Sequence, residues 1–298
     1  MARSQQDEAF DQFNQGVEDW LSRATGKMKK VNVVKQRNDA VLAVAKSLTQ
    51  KAKTLDLGCG TGDLAIALAQ MGLDSIGIDF APEMIKAANK RQKETKLNTA
   101  TFICGSILDL NYEPHSFDLI SGVGLLEYFT PTEGEKLIGD CQRLLRPGGR
   151  LVLGSRNRLF NIFSLNSFTQ IELELGTTVA LLREAEQITT VGDFEVLLSK
   201  ALNEKVELPH PKSHPKTSVS VSTRYQYTPF QMIQIFSRAG LKVKNLFPVH
   251  YHPLAAPVKD DFMDLHIQTS NMLNEQAQND HRLIPKGSTF VIDGEKSL

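Results

Sequence analysis

The sequence predicts an α/β fold in which strands and helices alternate, and three observations support this prediction. The apolar run at 52–57 leads into a glycine-rich loop, and an amphipathic helix follows at 63–70. A second apolar run at 73–79 ends in an acid and precedes a helix that starts near Pro82. At 147–149 a Pro-Gly-Gly break separates a helix from another apolar run. This alternation is typical of a parallel sheet covered by helices.

The composition is that of an ordinary globular protein without a charge bias. The chain has 298 residues, of which 41% are hydrophobic and 23% charged, and its formal net charge is zero. This length suits one large α/β domain with insertions, or two small domains. Because there is no basic excess and no polybasic run, we expect no nucleic acid and no anionic membrane as a partner.

The cysteines and the amino terminus predict a reducing environment. Cys59, Cys104 and Cys141 are odd in number and scattered, which favours free thiols over disulfides. The first residues lack the apolar core of a signal peptide, and no apolar run reaches the ~18 residues of a membrane span. We therefore expect a soluble, cytoplasmic protein with no membrane span.

Periodicity predicts the remaining elements. Residues 8–48 show two helical apolar faces, which are separated near Gly26. The segment 156–226 is too long for a simple connection and predicts an insertion with helices near 168–187 and 192–203. Further helices are expected near 132–144, 229–239 and 259–278. The predicted strands are 52–57, 73–79, 99–104, 116–122, 151–155, 241–247 and 287–293.

The loop after the first strand predicts a ligand site. Gly58, Gly60 and Gly62 stand at alternate positions, where they allow unusual backbone angles and close approach of a ligand. In open α/β sheets, ligands bind at such strand-to-helix loops. The carboxylate of Asp56, just before the loop, would repel a pyrophosphate and suit a cationic ligand. S-adenosylmethionine (SAM) has an ammonium, a sulfonium and no phosphate, and it fits this pattern.

The segment Asp56-Leu57-Gly58-Cys59-Gly60-Thr61-Gly62 resembles motif I of the class I SAM-dependent methyltransferases. Three landmarks strengthen the resemblance: Asp79, the Phe117-Asp118 pair, and the Leu145-Arg146-Pro147-Gly148-Gly149 run. The resemblance implies a seven-stranded, mostly parallel, doubly wound sheet whose last strand inserts antiparallel between the fifth and sixth. It also implies one methyltransferase domain with four parts: an N-terminal helical lid (1–50), a SAM-binding core (51–158), a helical cap over the acceptor pocket (159–226) and the C-terminal part of the core (227–298).

The resemblance also implies where SAM is bound. Asp79 would accept hydrogen bonds from both ribose hydroxyls, and Ser106 stands where the family often has an adenine-binding aspartate. The amino end of the helix after the glycine loop would face the methionine carboxylate. Arg37 could meet the same carboxylate, or it could be a solvated residue on a helix face. The expected SAM-binding residues are Asp56, Gly58, Cys59, Gly60, Gly62, Asp79, Phe80, Met84, Ser106, Ile107, Gly122 and Arg37.

Three residues are candidates for a catalytic role. Methyl transfer from a sulfonium is an in-line displacement, which needs a base only when the acceptor is a weak nucleophile such as a hydroxyl. His250 and His252 follow the sixth strand, and their spacing puts them on one face if the strand continues. Glu127 precedes Tyr128 where many relatives have Glu-His. For each of the three, a structural role is the alternative.

No metal site is predicted from the sequence. His210 and His214 have the spacing of helical metal ligands, but the prolines around them make a helix implausible. The sequence also lacks a cluster resembling the Asp and Asn ligands of the magnesium-dependent catechol methyltransferases. The remaining histidines are expected at the surface or in loops: His115, His266 and His281.

The sequence thus predicts a SAM-dependent methyltransferase that acts on a small-molecule acceptor, with a hydroxyl oxygen favoured. The neutral charge supports this, as does an aromatic-bearing insertion whose phenylalanines could line a pocket or form the core of the cap. These are Phe160, Phe163, Phe168 and Phe194. Two alternatives stay open: a SAM-binding protein with a regulatory or non-methyl role, and a methyltransferase of protein or RNA. A homodimer is equally open.

Overall fold

A computed structural model describes residues 5–24, 26, 30–95, 98–205, 207–211 and 224–297. Its strands are β1 (Lys53–Leu57), β2 (Asp74–Asp79), β3 (Ala100–Cys104), β4 (Phe117–Val123), β5 (Leu145–Arg156), β6 (Leu241–Tyr251) and β7 (Gly287–Lys296). They form one sheet in the order β3-β2-β1-β4-β5-β7-β6. β7 runs antiparallel to β5 and β6, whereas the other pairs are parallel. The predicted seven-stranded, mostly parallel sheet is confirmed.

Helices flank this sheet on both faces. They are α1 (Gln5–Gln15), α2 (Val17–Ala24), α3 (Val33–Ala45), α4 (Asp63–Gln70), α5 (Pro82–Thr95), α6 (Pro131–Leu144), α7 (Asn161–Ser164), α8 (Ser167–Glu174), α9 (Thr178–Thr190), α10 (Phe194–Asn203), α11 (Pro229–Arg238), α12 (Ala256–Lys259) and α13 (Met263–Gln276). The single helix predicted over 168–187 is two helices, because the chain turns at Gly176 with φ +69. In the described part of the chain, no helix has the length and apolar character needed to cross a membrane.

Alternate residues of the central strands pack into separate cores on the two faces of the sheet. Leu119 and Val291 pack on one face with residues of α3 and α4. Their neighbours Ile120 and Ile292 pack on the other face with residues of α6 and α11. Because side chains alternate along a strand, a strand buried on both faces reads as a continuous apolar run.

The insertion after β5 extends the helical layer on the α11 side of the sheet. Leu181 of α9 and Leu197 of α10 join the core that contains Phe230 of α11. α9 also packs against the short turn His281–Lys286. The described residues of α7 to α10 line neither of the two cavities at the ligand edge of the sheet. The predicted cap over an acceptor pocket is therefore not confirmed. Of its phenylalanines, Phe163 and Phe194 pack against the core, which is the alternative to forming pocket walls.

Candidate active site

The glycine loop turns sharply between β1 and α4. Gly58, Gly60 and Gly62 have φ values of +65°, +51° and +79°, which favour glycine. At Gly62 a Cβ atom would lie 2.6 Å from Cζ of Phe102, so the loop has no room for a side chain there. The loop lies where the strand order reverses between β1 and β4, the position at which open α/β sheets bind ligands.

Asp79, at the end of β2, is fixed by backbone hydrogen bonds. Gly60 N donates to its Oδ2 and Ala81 N donates to its Oδ1, each at 2.9 Å. Burial raises the pKa of Asp79, and these hydrogen bonds act in the opposite direction. The carboxylate lies in the wall of a cavity, and its oxygens keep lone pairs for further donors.

A narrow cavity of about 90 Å³ extends from the glycine loop along the ends of β2 and β3. Phe13 of α1 and Trp20 of α2 close it, and Phe13 packs edge-on against Tyr128 with ring centroids 5.3 Å apart. Seven of the residues predicted to bind SAM line this narrow cavity: Gly58, Gly60, Asp79, Phe80, Met84, Ser106 and Ile107.

Other predicted residues lie behind the lining of the narrow cavity. Ser121 Oγ donates a 2.9 Å hydrogen bond to Oδ1 of the buried Asp56, and burial raises the pKa of Asp56 to about 7. Cys59 is buried beside Gly77, and burial raises the pKa of its thiol well above the usual value. Gly122 leaves room for the side chain of Leu125. The geometry therefore favours packing roles for Cys59 and Gly122, as it does for Gly62.

A wider cavity of about 570 Å³ adjoins the narrow one, because Phe13, Trp20 and Tyr128 line both. Its walls come from α1 to α3, the turn after β4, the ends of β5 and β6, and the segment from α12 to α13. Cationic side chains outnumber acids among its charged lining residues, which are Lys30, Arg37, Glu127, Arg156, Arg224, Lys259 and Asp260.

Glu127 is surrounded by guanidinium groups. Its Oε2 lies 3.6 Å from Nε of Arg156 and 3.8 Å from Nε of Arg224. Arg37 also interacts with Glu127, which raises the pKa of Arg37 against the larger lowering effect of burial. Burial also lowers the pKa of Arg156, to about 10, against the raising effect of Glu127. A buried carboxylate that lies between two guanidinium groups holds them in position, so the arrangement favours a structural role for Glu127.

Three histidines form a cluster at the wall of the wider cavity. The ring of His250 lies 4.2 Å from that of His252 and 5.3 Å from that of His266, measured between centroids. The Nε2 atoms of His250 and His266 are 3.2 Å apart. His250 and His266 line the cavity, whereas His252 lies against Phe160. Burial lowers the pKa of each imidazole, so all three are neutral near pH 7.

Two histidines expected at the surface or in loops are buried. His266 faces inwards from α13, and His281 makes a 2.8 Å hydrogen bond from its Nε2 to the carbonyl oxygen of Val191. His115 is exposed, as expected. His210 packs against Tyr225 and Tyr227, and His214 lies outside the described residues.

Sequence reasoning missed Arg156, Arg224 and Trp20 as lining residues. A signal existed for Arg156, because it ends the fifth strand at the edge where ligands bind. Trp20 belongs to a helix predicted to lie over the pocket, but nothing distinguished it from a core residue. Arg224 carried no local signal, because it follows a long insertion and is brought to the site by tertiary packing.

Comparisons with known proteins agree with this geometry. A family model described as "Methyltransferase domain" matches residues 54–149, which span the glycine loop, Asp79 and β4. A ubiquinone biosynthesis O-methyltransferase of Coxiella burnetii is 27% identical over 249 residues, which cover 83% of this chain and 87% of the relative. The corresponding protein of Xanthomonas euvesicatoria pv. vesicatoria is 37% identical over 116 residues, 38% of this chain and 47% of the relative.

Solved structures share the fold at low sequence identity. The magnesium protoporphyrin IX methyltransferase of Synechocystis PCC 6803, with bound S-adenosylhomocysteine (SAH), has a TM-score of 0.58 and 16% identity, covering 99% of this chain and 100% of that one. A SAM-dependent methyltransferase from Methanosarcina mazei has a TM-score of 0.54 and 19% identity, covering 86% of this chain and 97% of that one. Residues 54–149 therefore match a methyltransferase domain, and the chain, with its glycine loop at the switch point of a seven-stranded sheet, has the fold of the class I SAM-dependent methyltransferases.

Proposed function

We propose that this methyltransferase transfers the methyl group of SAM to a hydroxyl oxygen of a small-molecule acceptor. The observation that carries the proposal is the meeting of two cavities at Phe13, Trp20 and Tyr128. The narrow cavity is lined by Asp79 and by six other residues that the sequence predicts to bind SAM. The wider cavity, at about 570 Å³, has the size of sites that enclose small organic molecules.

SAM would lie in the narrow cavity with its ribose hydroxyls on Asp79 and its adenine against Met84 and Ile107. Ser106 Oγ accepts a 3.2 Å hydrogen bond from Leu108 N and keeps a second lone pair for the adenine amino group, and packing and backbone groups would supply the rest of adenine recognition. Arg37 lies beside Gly124 at the border of the wider cavity, where its guanidinium could meet the methionine carboxylate.

The acceptor would be a phenol or catechol. The relatives named as ubiquinone biosynthesis O-methyltransferases support a hydroxyl acceptor. The cationic excess of the wider cavity supports an acidic hydroxyl, because the attacking oxygen carries negative charge that these side chains stabilise.

The reaction forms a bond between the acceptor oxygen and the methyl carbon and breaks the bond between that carbon and sulfur. The electron pair of the broken bond stays on sulfur, which leaves as neutral SAH. The hydroxyl proton passes to water in the wider cavity, beside the wall formed by His250 and His266, with His252 behind them. Glu127 holds Arg156 and Arg224 in position and takes no part in proton transfer.

Calorimetric titration with SAM and SAH, followed by incubation with catechols and phenols, tests the proposal. We expect micromolar binding of both ligands and, by mass spectrometry, a product heavier by one CH₂ group. Asp79→Asn should weaken SAM binding about 10- to 100-fold, because it removes hydrogen bonds to a charged group. The matched control Asp74→Asn, at the exposed start of the same strand, should bind SAM like the parent.

The alternatives give different outcomes in the same experiment. SAM binding without methylation of any hydroxyl acceptor would favour a regulatory or non-methyl role. Methylation confined to added protein or RNA would favour a macromolecular substrate. Loss of SAM binding in Asp74→Asn but not in Asp79→Asn would contradict the ribose assignment.

A further inference from the structure

We propose that His250, His252 and His266 bind a divalent transition-metal ion whose open coordination position faces the wider cavity. One ring nitrogen from each histidine can be chosen so that all three lie within 4.8 Å of one another. Three histidines with a free fourth position are a donor set of catalytic zinc sites, and imidazole also suits iron, copper and nickel.

The distances in the cluster suit coordination to one ion. The Nε2 atoms of His250 and His266 are 3.2 Å apart. Two nitrogens bound tetrahedrally to one Zn²⁺ at the usual bond length would be about 3.3 Å apart. The three rings are tilted by 41° to 54° to one another, so they do not stack face to face. Because the three nitrogens lie within 4.8 Å of one another, side-chain movements of up to about 1.5 Å would bring them to the separation of ligands on one ion.

Buried nitrogens in the cluster lack hydrogen-bond partners. Within the part of the chain that the structure describes, neither ring nitrogen of His252 nor Nδ1 of His266 has one. Both residues are almost fully buried, with exposed fractions of 7% and 1%. Buried polar atoms are nearly always satisfied, so this group of unsatisfied nitrogens indicates a ligand.

Neighbouring residues orient His250 as a metal ligand requires. Ser288 Oγ lies 2.9 Å from His250 Nδ1, so Nδ1–H can donate to the hydroxyl while the Nε2 lone pair stays available. This is the usual outer hydrogen bond of a ligating histidine. His250 N also donates to Gln36 Oε1 at 2.9 Å, and the backbone of His250 has φ +56. A left-handed non-glycine residue held in this way often marks a functional position.

The charges around the cluster are mixed. Lys259 and Arg37 add positive charge near His250 and oppose binding of a cation. Asp260 lies in the same cavity wall, 3.9 Å from Nζ of Lys259, and offsets part of that charge. The affinity for the metal ion therefore depends on the three nitrogens, and removal of one of them should lower it strongly.

The role of the ion rests on the proposed function, whereas its binding does not. The open position would take the oxygen of the acceptor hydroxyl and lower its pKa, as a bound metal ion does for water. The proton would pass to water in the cavity. The metal-bound oxyanion would then attack the methyl carbon with no change in the oxidation state of the ion.

Metal titration of the tag-free, chelator-stripped protein tests the site. Zn²⁺ binding is measured by calorimetry, and Co²⁺ binding by its visible absorption, which reports tetrahedral coordination. We expect one equivalent of each ion to bind the parent. His252→Gln and His266→Gln should weaken binding by about 100-fold or more, and Ser288→Ala by about 10-fold. His115→Gln, at an exposed histidine far from the cluster, should bind like the parent.

SAM affinity, measured on every variant, reports whether the fold is intact. Failure of the folded parent to bind either ion would overturn the site, as would unchanged binding in His266→Gln. If the chelator-stripped enzyme methylates catechols at the full rate, the role is wrong while the proposed function stands. If the metal-loaded protein binds SAM but methylates no hydroxyl acceptor, the proposed function and the role fail while the site stands.

Discussion

The two adjoining cavities differ in construction and in charge. The narrow cavity is built on a turn of glycines and on Asp79, whose carboxylate is fixed by backbone N–H groups. Asp56 is buried in β1, two residues before the first glycine of this turn. The wider cavity is built from side chains of several distant segments, and it has an excess of guanidinium and ammonium groups. An acidic cavity suits the cationic SAM, and a basic cavity suits an acceptor that becomes an oxyanion.

This contrast teaches how one sheet edge can bind two ligands of opposite charge. Asp56 and Asp79 belong to adjacent parallel strands, so their positions follow from strand pairing. Arg37, Arg156 and Arg224 reach their cavity from α3, the end of β5 and the segment before α11, and Glu127 lies among them. The aspartates of the narrow cavity are positioned by the backbone, whereas the arginines of the wider cavity depend on their pairing with the buried Glu127.

The largest expected effect is on the charge balance of the wider cavity. Glu127→Gln removes a buried anion from among Arg37, Arg156 and Arg224 while keeping its shape. Because the guanidinium groups then face one another without this partner, we expect the free energy of unfolding to fall by about 3 kcal/mol. Urea denaturation followed by circular dichroism measures it.

Glu135→Gln is the matched control for that substitution. Glu135 pairs with Arg238 at 2.9 Å, but both side chains are more than half exposed. Exposed pairs contribute little, so the control should change the free energy of unfolding by less than about 1 kcal/mol. Equal effects of the two substitutions would contradict the difference in construction between the cavities.

The next effect tests the backbone construction of the narrow cavity. Gly62→Ala adds a methyl group at φ +79, where Cβ would lie 2.6 Å from the ring of Phe102. We expect a loss of about 2 kcal/mol in the free energy of unfolding and a large loss of SAM affinity. Gly139→Ala is the control, because Gly139 lies within α6 with open space around it. That change should stabilise the protein by about 0.5–1 kcal/mol.

The same difference explains which parts of the molecule the sequence predicted. Asp56, Gly58, Gly60 and Gly62 lie on one strand-to-helix turn, and Asp79 ends the neighbouring strand, so local pattern and strand pairing bring them together. The seven strands were also predicted from local sequence patterns. Each is a short apolar run bounded by clear turn or helix signals.

The wider cavity depends on contacts that no local pattern reports. Arg224 and His266 lie in segments whose position is decided by tertiary packing, and His266 was expected at the surface. The insertion was expected to cover the acceptor pocket. Leu181 and Leu197 pack its helices α9 and α10 against α11, while Arg224, near its end, lines the wider cavity. An amphipathic helix reveals that it has a buried face, but not which surface covers that face.

The smallest expected effect concerns the charge of the narrow cavity and its dependence on pH. Burial raises the pKa of Asp56 to about 7 in the protein without SAM. The ionised carboxylate attracts the positive charge of SAM, whereas the protonated form does not. SAM affinity should therefore rise with pH and be about 10-fold higher at pH 8 than at pH 6. Calorimetric titration across this range measures it.

Asp56→Asn separates this effect from other titrations. Asparagine can still accept the hydrogen bond from Ser121 Oγ, so the local structure should persist. The variant should bind SAM at pH 8 about as weakly as the parent does at pH 6, with a flatter pH profile. The same pKa has a consequence for stability, since the folded protein keeps this proton to about pH 7 and the unfolded chain loses it near pH 4. Asp56 thus destabilises the free protein as pH rises from about 4 to about 7, and SAM, by binding the ionised form, offsets that loss. A parent enzyme whose SAM affinity falls with rising pH would show that the carboxylate does not act on the ligand's positive charge.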